Sequence, residues 1–218
     1  MDDKLLIASR VARELRPGTL VNLGIGLPTL VAGLVPRDAS IFFQSENGIV
    51  GMQSIPEHGL EDDDLTDAGG RPISALPGAA TFDSAMSFGL IRGGHLDVTV
   101  LGGLQVDRHG RLANWMVPGR MVPGMGGAMD LVTGARRVIV AMTHTAKGEH
   151  KIVDTLGLPP TSTRCVDLVV TELAVLRPTS DGMVLQEIAP GVSIEQVQAA
   201  TGTRLIVPGH VPLMNDGA

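Results

Sequence analysis

The first fifty residues alternate between helical and extended patterns, and this alternation constrains the fold more than any other feature of the chain. Residues 3–15 place apolar side chains at helical spacing, and the Arg16-Pro17-Gly18 tripeptide ends that pattern. A strand is predicted over residues 19–23, a second helix over 28–34 and a second strand over 41–43. Strands that alternate with helices usually pair in parallel. The pattern therefore predicts an α/β fold with an open, mainly parallel sheet flanked by helices.

The rest of the chain continues this pattern and adds a hairpin near the C-terminus. Further elements are predicted from apolar runs: a strand at 96–101 bounded by glycine pairs, a helix at 128–133 that follows Gly126 and Gly127, and a buried strand at 136–143. Residues 167–176 and 183–188 flank a turn at 179–182 and predict an antiparallel pair. Ser193 and Gln196 have the spacing of a capping box and predict the start of a final helix.

Composition predicts one soluble domain. With 218 residues, 44% of them hydrophobic, the chain can bury a large core, and we expect residues 1–218 to form a single domain. The polar segment 57–77 is predicted to be a long functional loop or flap. Lys and Arg number 17 against 23 Asp and Glu, so a weakly acidic chain without a basic block is not expected to bind nucleic acid.

Localisation is predicted from the same sequence. We expect neither a secretory signal nor a membrane span, because the acidic amino terminus and the absence of a stretch of about 18 apolar residues disfavour both. The one cysteine, Cys165, cannot form an internal disulfide and is predicted to be a small buried hydrophobe. A cytoplasmic protein is therefore expected.

The tetrapeptide Ser45-Glu46-Asn47-Gly48 is the strongest candidate for chemistry. It follows the predicted strand 41–43 closely, and ligands of open α/β sheets bind beyond the carboxyl ends of the strands. Glu46 could direct its carboxylate into such a site. The same four residues could also form an ordinary turn, because Asn-Gly is a common turn dipeptide.

Two glycine-rich segments are candidate binding loops. Gly24 and Gly26 lie between a predicted strand and helix, where backbone N–H groups could bind a carboxylate or phosphate, or where the glycines could simply allow a tight turn. The dinucleotide fingerprint is incomplete, because Thr29 occupies its third glycine position. Residues 124–130 contain Gly126 and Gly127, which could donate to an oxyanion or permit close packing.

Metal and serine-hydrolase chemistry are not expected. The acidic run 61–64 lacks the alternating pattern of a calcium loop, and the six histidines lack zinc-ligand spacing. No serine lies in a G-x-S-x-G elbow. Glu46 is therefore the best nucleophile candidate.

Several segments, in order and at similar spacing, give the chain a specific resemblance to one family. These segments are 21–30, 44–48, 91–95, 102–107, 112–119 and 124–131. The chain resembles the B-type subunit of the 3-oxoacid CoA-transferases of the succinyl-CoA:acetoacetate type, which are family I CoA-transferases with a fold related to sugar-phosphate isomerases. Residues 158–162 (Leu-Pro-Pro-Thr-Ser) depart from the Leu-Pro-Leu-Thr-Gly-like stretch of relatives, which could alter a loop and acyl preference.

The resemblance implies specific roles for these residues. Glu46 would be the nucleophile, the Gly126 and Gly127 pair would supply the oxyanion donor, and Asn47, Gly24 and Gly26 would contribute to binding acyl-CoA. It also implies an A-type partner subunit in an α2β2 assembly. No cofactor or metal is expected, because coenzyme A is a substrate.

The resemblance also implies a ping-pong reaction through a glutamyl-CoA thioester. Succinyl-CoA and acetoacetate are the expected pair, and 3-oxoadipate or short-chain acids are the alternatives. An acyl-CoA hydrolase on the same scaffold and a ligand-sensing module without a covalent adduct are the competing interpretations.

Overall fold

Helices and strands alternate along the chain in the computed structural model, which describes residues 2–36, 38–53, 55–119 and 124–214. The helices are α1 (Asp3–Ala12), α2 (Ser84–Arg92), α3 (Ala128–Gly134), α4 (Ile194–Ala200) and a 3-10 helix, η1 (Leu27–Leu34). The strands are β1 (Leu20–Leu23), β2 (Phe42–Ser45), β3 (Ile49–Met52), β4 (Ala75–Thr81), β5 (Val98–Leu101), β6 (Gln105–Asp107), β7 (Leu112–Ala113), β8 (Arg137–Ala141), β9 (Thr145–Ala146), β10 (Glu149–His150), β11 (Ile152–Val153), β12 (Leu168–Val170), β13 (Ala174–Thr179), β14 (Gly182–Ile188) and β15 (Leu205–Ile206).

The main sheet is parallel at its centre, as the sequence predicts. Within the described residues its order is β15-β14-β13-β12-β8-β5-β1-β2-β3-β4. Strands β12, β8, β5, β1 and β2 are parallel to one another, and Val21 of β1 pairs with Phe43 on one side and Val98 on the other. The chain leaves β1 for β2 in one direction and later returns to β5 in the other. Such a switch point opens a crevice at the carboxyl ends of the strands.

Antiparallel pairs flank the parallel centre on both sides, and the edge strand β15 pairs in parallel with β14. The predicted C-terminal hairpin is confirmed, since β13 pairs antiparallel with β14 across the turn at 179–182. The pairing of β2, β3 and β4 was not predicted, and β2 itself continues through Ser45. Gly48 adopts a φ of +124°, which lets the chain reverse directly after Asn47 instead of leading into a helix.

Alternating side chains of the sheet build a core on each face. Ile139 and Ala141 of β8 pack with α1, whereas Val138 and Val140 pack on the opposite face with residues of α2, α3 and α4. The exposed Cys165 lies outside both cores, so the prediction of a buried cysteine is wrong. Cys165 directly precedes the buried Val166, and the apolar run therefore begins one residue later than the cysteine.

The helices differ from prediction in three places. The α1 helix ends at Ala12, and the chain continues to Leu15 in turns in which the N–H groups of Glu14 and Leu15 bond three residues back. The predicted second helix is the 3-10 helix η1, which lacks a side-chain cap at Gly26. Helix α2 was not predicted; it begins where the Asp83 carboxylate accepts a hydrogen bond from the Met86 N–H. The capping box at Ser193 is confirmed.

Over the described ranges, the helices are too short or too polar for any of them to cross a lipid bilayer.

Candidate active site

A cleft of about 560 Å³ opens at the switch point of the sheet. Its walls come from the turns that follow β1, β2 and β5, from the glycine segment that precedes α3, and from two residues after β7. The lining residues are Asn22, Leu23, Gly24, Ile25, Ser45, Glu46, Ala68, Leu101, Gly102, Gly103, Leu104, Asn114, Trp115, Gly124, Met125, Gly126, Gly127, Ala128 and Leu131. The carboxyl ends of three parallel strands therefore converge on one pocket, which is where the sequence placed a site.

Glu46 lies in this cleft because of the turn that carries it. Residues 46–48 connect β2 to β3, and the Glu46 side chain is half-buried against the glycine segment. A Cβ atom on Gly48 would lie 2.0 Å from the carbonyl oxygen of Phe82, so only glycine fits there. The turn is thus determined by Gly48, and it places Glu46 at the end of β2.

Gly127 contacts the Glu46 carboxylate directly. Its N–H donates a hydrogen bond to Oε1 at 3.4 Å. A Cβ atom on Gly127 would lie 2.7 Å from Oε2, so the carboxylate occupies the space that a side chain would need. Gly126 also lines the cleft and has a φ of +55°, a conformation that favours glycine. The predicted nucleophile and the predicted oxyanion donor therefore lie side by side.

Burial raises the pKa of the Glu46 carboxyl above its ordinary value. The Gly127 hydrogen bond opposes this shift, and the nearby Asp130 carboxylate adds to it. Since Glu46 can be a nucleophile only as a carboxylate, we expect its reactivity to decline in acid at a higher pH than that of an exposed glutamate.

The other predicted binding residues have different positions. Gly24 lines the cleft, and its N–H donates to Val100 O at 2.8 Å. Gly26 lies one residue beyond the lining segment, at the start of η1, where its carbonyl oxygen accepts from Thr29. The exposed Asn47 donates its side-chain amide to the carbonyl oxygen of Thr66 at 2.8 Å, so it is engaged with a loop. Their contacts with acyl-CoA remain predictions.

A buried polar network adjoins the cleft at Asn22, and sequence reasoning missed it. Asn22 Nδ2 donates to Gln44 Oε1 at 2.8 Å, and Gln44 Nε2 lies 2.8 Å from Ser87 Oγ. Thr99 Oγ1 reaches Asn22 from β5. Buried polar side chains need such partners, and here the hydrogen bonds link β1, β2, β5 and α2. The detectable signal was a polar residue within each apolar strand.

Asn114 and Trp115, which follow β7, form one wall of the cleft. Asn114 Nδ2 donates to Gly102 O at 3.3 Å, while its Oδ1 accepts from Thr161 at 2.7 Å. The Trp115 indole N–H donates to Pro160 O at 3.3 Å. The 158–162 segment therefore supports this wall.

The predicted flap segment also contacts the cleft. Ala68 is a lining residue, and its N–H donates to Ser45 Oγ at 2.9 Å. The acidic run at 61–64 is exposed. Across the described parts of the chain, no cluster of three His, Cys, Asp or Glu side chains could hold a metal ion.

His144 is buried at the carboxyl end of β8, outside the lining of the cleft. Its ring nitrogens lie 2.9 Å from Thr171 Oγ1 and 2.8 Å from Thr201 Oγ1. Burial, with smaller effects of His150 and Lys151, lowers the pKa of His144 from 6.5 to about 4. The folded protein therefore holds this ring neutral at pH values where the unfolded chain protonates it.

His144 should make the protein sensitive to acid. The stability that the neutral His144 ring gives the folded protein is fully present above pH 6.5. It is lost as the pH falls toward 4, because the unfolded state binds the proton first. The free energy of unfolding should decline by about 3 kcal/mol more than in His144→Gln over that range. Denaturant unfolding at a series of pH values measures this; equal pH slopes for the two proteins would contradict it.

The chain matches known proteins in both sequence and structure. A model of the family described as coenzyme A transferase matches residues 4–200. The chain is 56% identical over 208 residues to the beta subunit of the acetate CoA-transferase of Escherichia coli K12, covering 95% of each chain. It is 50% identical over 196 residues to the B subunit of the succinyl-CoA:3-ketoacid coenzyme A transferase of Helicobacter pylori 26695, covering 89% of this chain and 94% of the relative.

A third relative and two solved structures extend the comparison. The B subunit of the 3-oxoadipate CoA-transferase of Pseudomonas putida is 46% identical over 202 residues, with 92% and 94% covered. An acyl-CoA transferase from E. coli O157:H7 superposes with a TM-score of 0.79 at 24% identity; 98% of this chain corresponds to 43% of that longer one. Glutaconate coenzyme A-transferase from Acidaminococcus fermentans superposes with a TM-score of 0.75 at 20% identity, and the match covers 98% of this chain and 89% of that one. At these identities the structures support the fold alone.

Proposed function

The chain belongs to the coenzyme A transferase family, and we propose that Glu46 is the residue that carries coenzyme A during the transfer. The observation that supports this role most strongly is the contact between Glu46 and Gly127, in a cleft at the switch point of the sheet. A nucleophilic carboxylate and a fixed N–H donor are the two groups that thioester chemistry of this kind requires.

In the first step the Glu46 carboxylate attacks the carbonyl carbon of an acyl-CoA. The C–S bond breaks, and the products are an acyl-glutamyl anhydride and the thiolate of coenzyme A. The thiolate then attacks the glutamyl carbonyl, which gives a glutamyl-CoA thioester and releases the first acid as a carboxylate. The second carboxylic acid reverses both steps and leaves as a new acyl-CoA. A carboxylate suits this route because its own carbonyl becomes the next electrophile.

The Gly127 N–H has a specific place in this sequence of steps. It donates to an oxygen of Glu46 itself. When the thiolate attacks the glutamyl carbonyl, negative charge develops on that oxygen, and the donor is already directed at it. A preorganised donor of this kind typically stabilises the transition state by about 3 kcal/mol. Gly127 therefore acts mainly on the formation and breakdown of the glutamyl-CoA thioester.

The substrates are small carboxylic acids and their CoA thioesters. We propose succinyl-CoA and acetoacetate as the pair, with acetate and 3-oxoadipate as the alternatives that the names of the relatives suggest. The wall formed by Asn114 and Trp115 is supported by the divergent 158–162 segment, so acyl preference can differ from that of relatives. Competition between these acids for one acyl-CoA donor would rank them.

The relatives are named as B or beta subunits, which indicates a multi-subunit enzyme. We propose an A-type partner subunit in an α2β2 assembly that closes the cleft over Glu46. The proposed location is the cytoplasm, since the single cysteine excludes an internal disulfide framework.

Intact-mass and peptide mass spectrometry test the covalent step. After an acyl-CoA is added to the complex of both subunits, this chain should gain the mass of coenzyme A less one water, on the peptide that contains Glu46. The isolated chain should gain little of it, because the proposed partner completes the site. A working complex whose Glu46 peptide never carries the adduct under these conditions would contradict the proposal.

A further inference from the structure

A loop formed by residues 65–73 crosses from the turn that bears Glu46 to the turn that follows β1. Ala68 lines the cleft, and the next residue, Gly69, lies beside the Ile25 side chain, to which a Cβ on Gly69 would come within 3.5 Å. The loop therefore forms part of the rim of the pocket on the side between β1 and β2. The loop thus lies beside the turn that carries Glu46.

The loop is held rigid from within by Asp67. One oxygen of this buried carboxylate accepts from the N–H groups of Gly69 and Arg71, at 2.8 and 3.0 Å. The other accepts from the Arg71 guanidinium at 3.1 and 2.9 Å. Backbone bonds join Ile73 to Leu65 and Asp67 to Arg71. The loop is thus a fixed wall, because each end and its tip are hydrogen-bonded.

The residues on either side of Glu46 fasten this wall to the nucleophile. Ser45 Oγ accepts from the Ala68 N–H at 2.9 Å, and Asn47 Nδ2 donates to Thr66 O at 2.8 Å. Both side chains reach the loop from positions adjacent in sequence to Glu46. These two hydrogen bonds hold the loop at a set distance from the turn that carries the Glu46 carboxylate.

We propose that Ser45 and Asn47 are positioning residues whose function is to keep water away from the acylated Glu46. This inference deepens the proposed function and rests on it. Water that reaches the anhydride would break it into two carboxylates and two protons. Water that reaches the glutamyl-CoA thioester would release free coenzyme A, regenerate the Glu46 carboxylate and leave one proton. Either reaction converts transfer into hydrolysis, so excluding solvent is essential to a transferase.

The test is the ratio of hydrolysis to transfer in the complex of both subunits. Ser45→Ala and Asn47→Ala should each raise the ratio of free coenzyme A released to acceptor-CoA formed by about fivefold, the factor that corresponds to one lost hydrogen bond of about 1 kcal/mol. The double variant should raise it further. The donor and acceptor are the pair that the unaltered complex converts fastest, and release by the Glu46→Gln complex is subtracted as background.

The controls separate water exclusion from a general loss of structure. Ser180→Ala removes a serine hydroxyl from an exposed turn between β13 and β14 and should leave the ratio unchanged. Asn47 is exposed, so its variant is expected to fold even if Ser45→Ala does not. A merely structural role would lower transfer and hydrolysis by the same factor. An unchanged ratio in Asn47→Ala would therefore overturn the inference, whereas transfer by the Glu46→Gln complex would instead overturn the proposed function.

Discussion

Replacing Glu46 with glutamine should reduce CoA transfer by a factor of about 10⁴ or more, on the scale seen when a covalent nucleophile is removed. Glutamine keeps the size and shape of the side chain but has no nucleophilic oxygen, so neither the anhydride nor the thioester can form. The measurement is steady-state transfer between acyl-CoA and a second acid by the complex, together with the mass of this chain after addition of acyl-CoA.

The unfolding temperature of Glu46→Gln shows whether this variant is folded. Burial raises the pKa of the Glu46 carboxyl, so the folded state disfavours its charged form. This destabilisation of the folded protein is present at neutral pH and disappears as the pH falls below the ordinary pKa of about 4.5. Glu46→Gln should therefore unfold at an equal or higher temperature than the unaltered protein at pH 7. Substantial transfer by a folded Glu46→Gln complex would refute the role of Glu46.

Replacing Gly127 with alanine should reduce transfer by about 10²- to 10³-fold, the range for loss or misplacement of one oxyanion contact. The added methyl group would lie 2.7 Å from Glu46 Oε2 and 2.9 Å from Cδ, so the carboxylate must move away. The backbone at Gly127 has φ −80° and ψ 2°, values that alanine can adopt. The substitution should thus lower kcat without impairing folding. Steady-state kinetics measures the first effect and the melting temperature measures the second.

Gly89→Ala is a matched control for this substitution. Gly89 lies inside α2, and among the described residues no atom lies within 4 Å of the added methyl group, apart from its own helix and chain neighbours. Alanine also favours the helix, so the control should keep full activity and equal or greater stability. If Gly127→Ala were as active as Gly89→Ala, the close packing of Gly127 against the carboxylate would have no catalytic meaning.

Local sequence patterns predicted most of the strands and helices whose formation depends on residues adjacent in the chain. The apolar strands β1 and β5 are bounded by glycines, β8 is a continuous apolar run, and Ser193 with Gln196 indicated α4 by a side-chain pattern that spans only four residues. The antiparallel edge at β3 and β4 was not predicted, because β3 has only four residues and the seven-residue β4 is largely exposed. Exposed strands lack the apolar alternation that identifies a strand.

The site was predicted as separate pieces, and its assembly was not. Ser45-Glu46-Asn47-Gly48 and Gly126-Gly127 were recognisable as motifs, but neither motif predicts that Asn47 would face Thr66 instead of the cleft. The pairing within the polar network at the cleft could not be predicted either, since Asn22 and Ser87 are 65 positions apart in the chain, although the polar residues within apolar strands could be recognised. Such contacts depend on which strands and helices become neighbours.

The sequence alone therefore determined the fold class, the carboxylate available for chemistry and the glycines that the turns require, because each of these depends on a few adjacent residues. Tertiary structure decided that Gly127 lies against Glu46 across 81 positions of sequence, and that the 65–73 loop is fastened on both sides of that glutamate. The physical reason is the order of strands in the sheet. Placing β1 between β2 and β5 brings distant turns to one edge of the sheet, and that order is set by burial of the whole core.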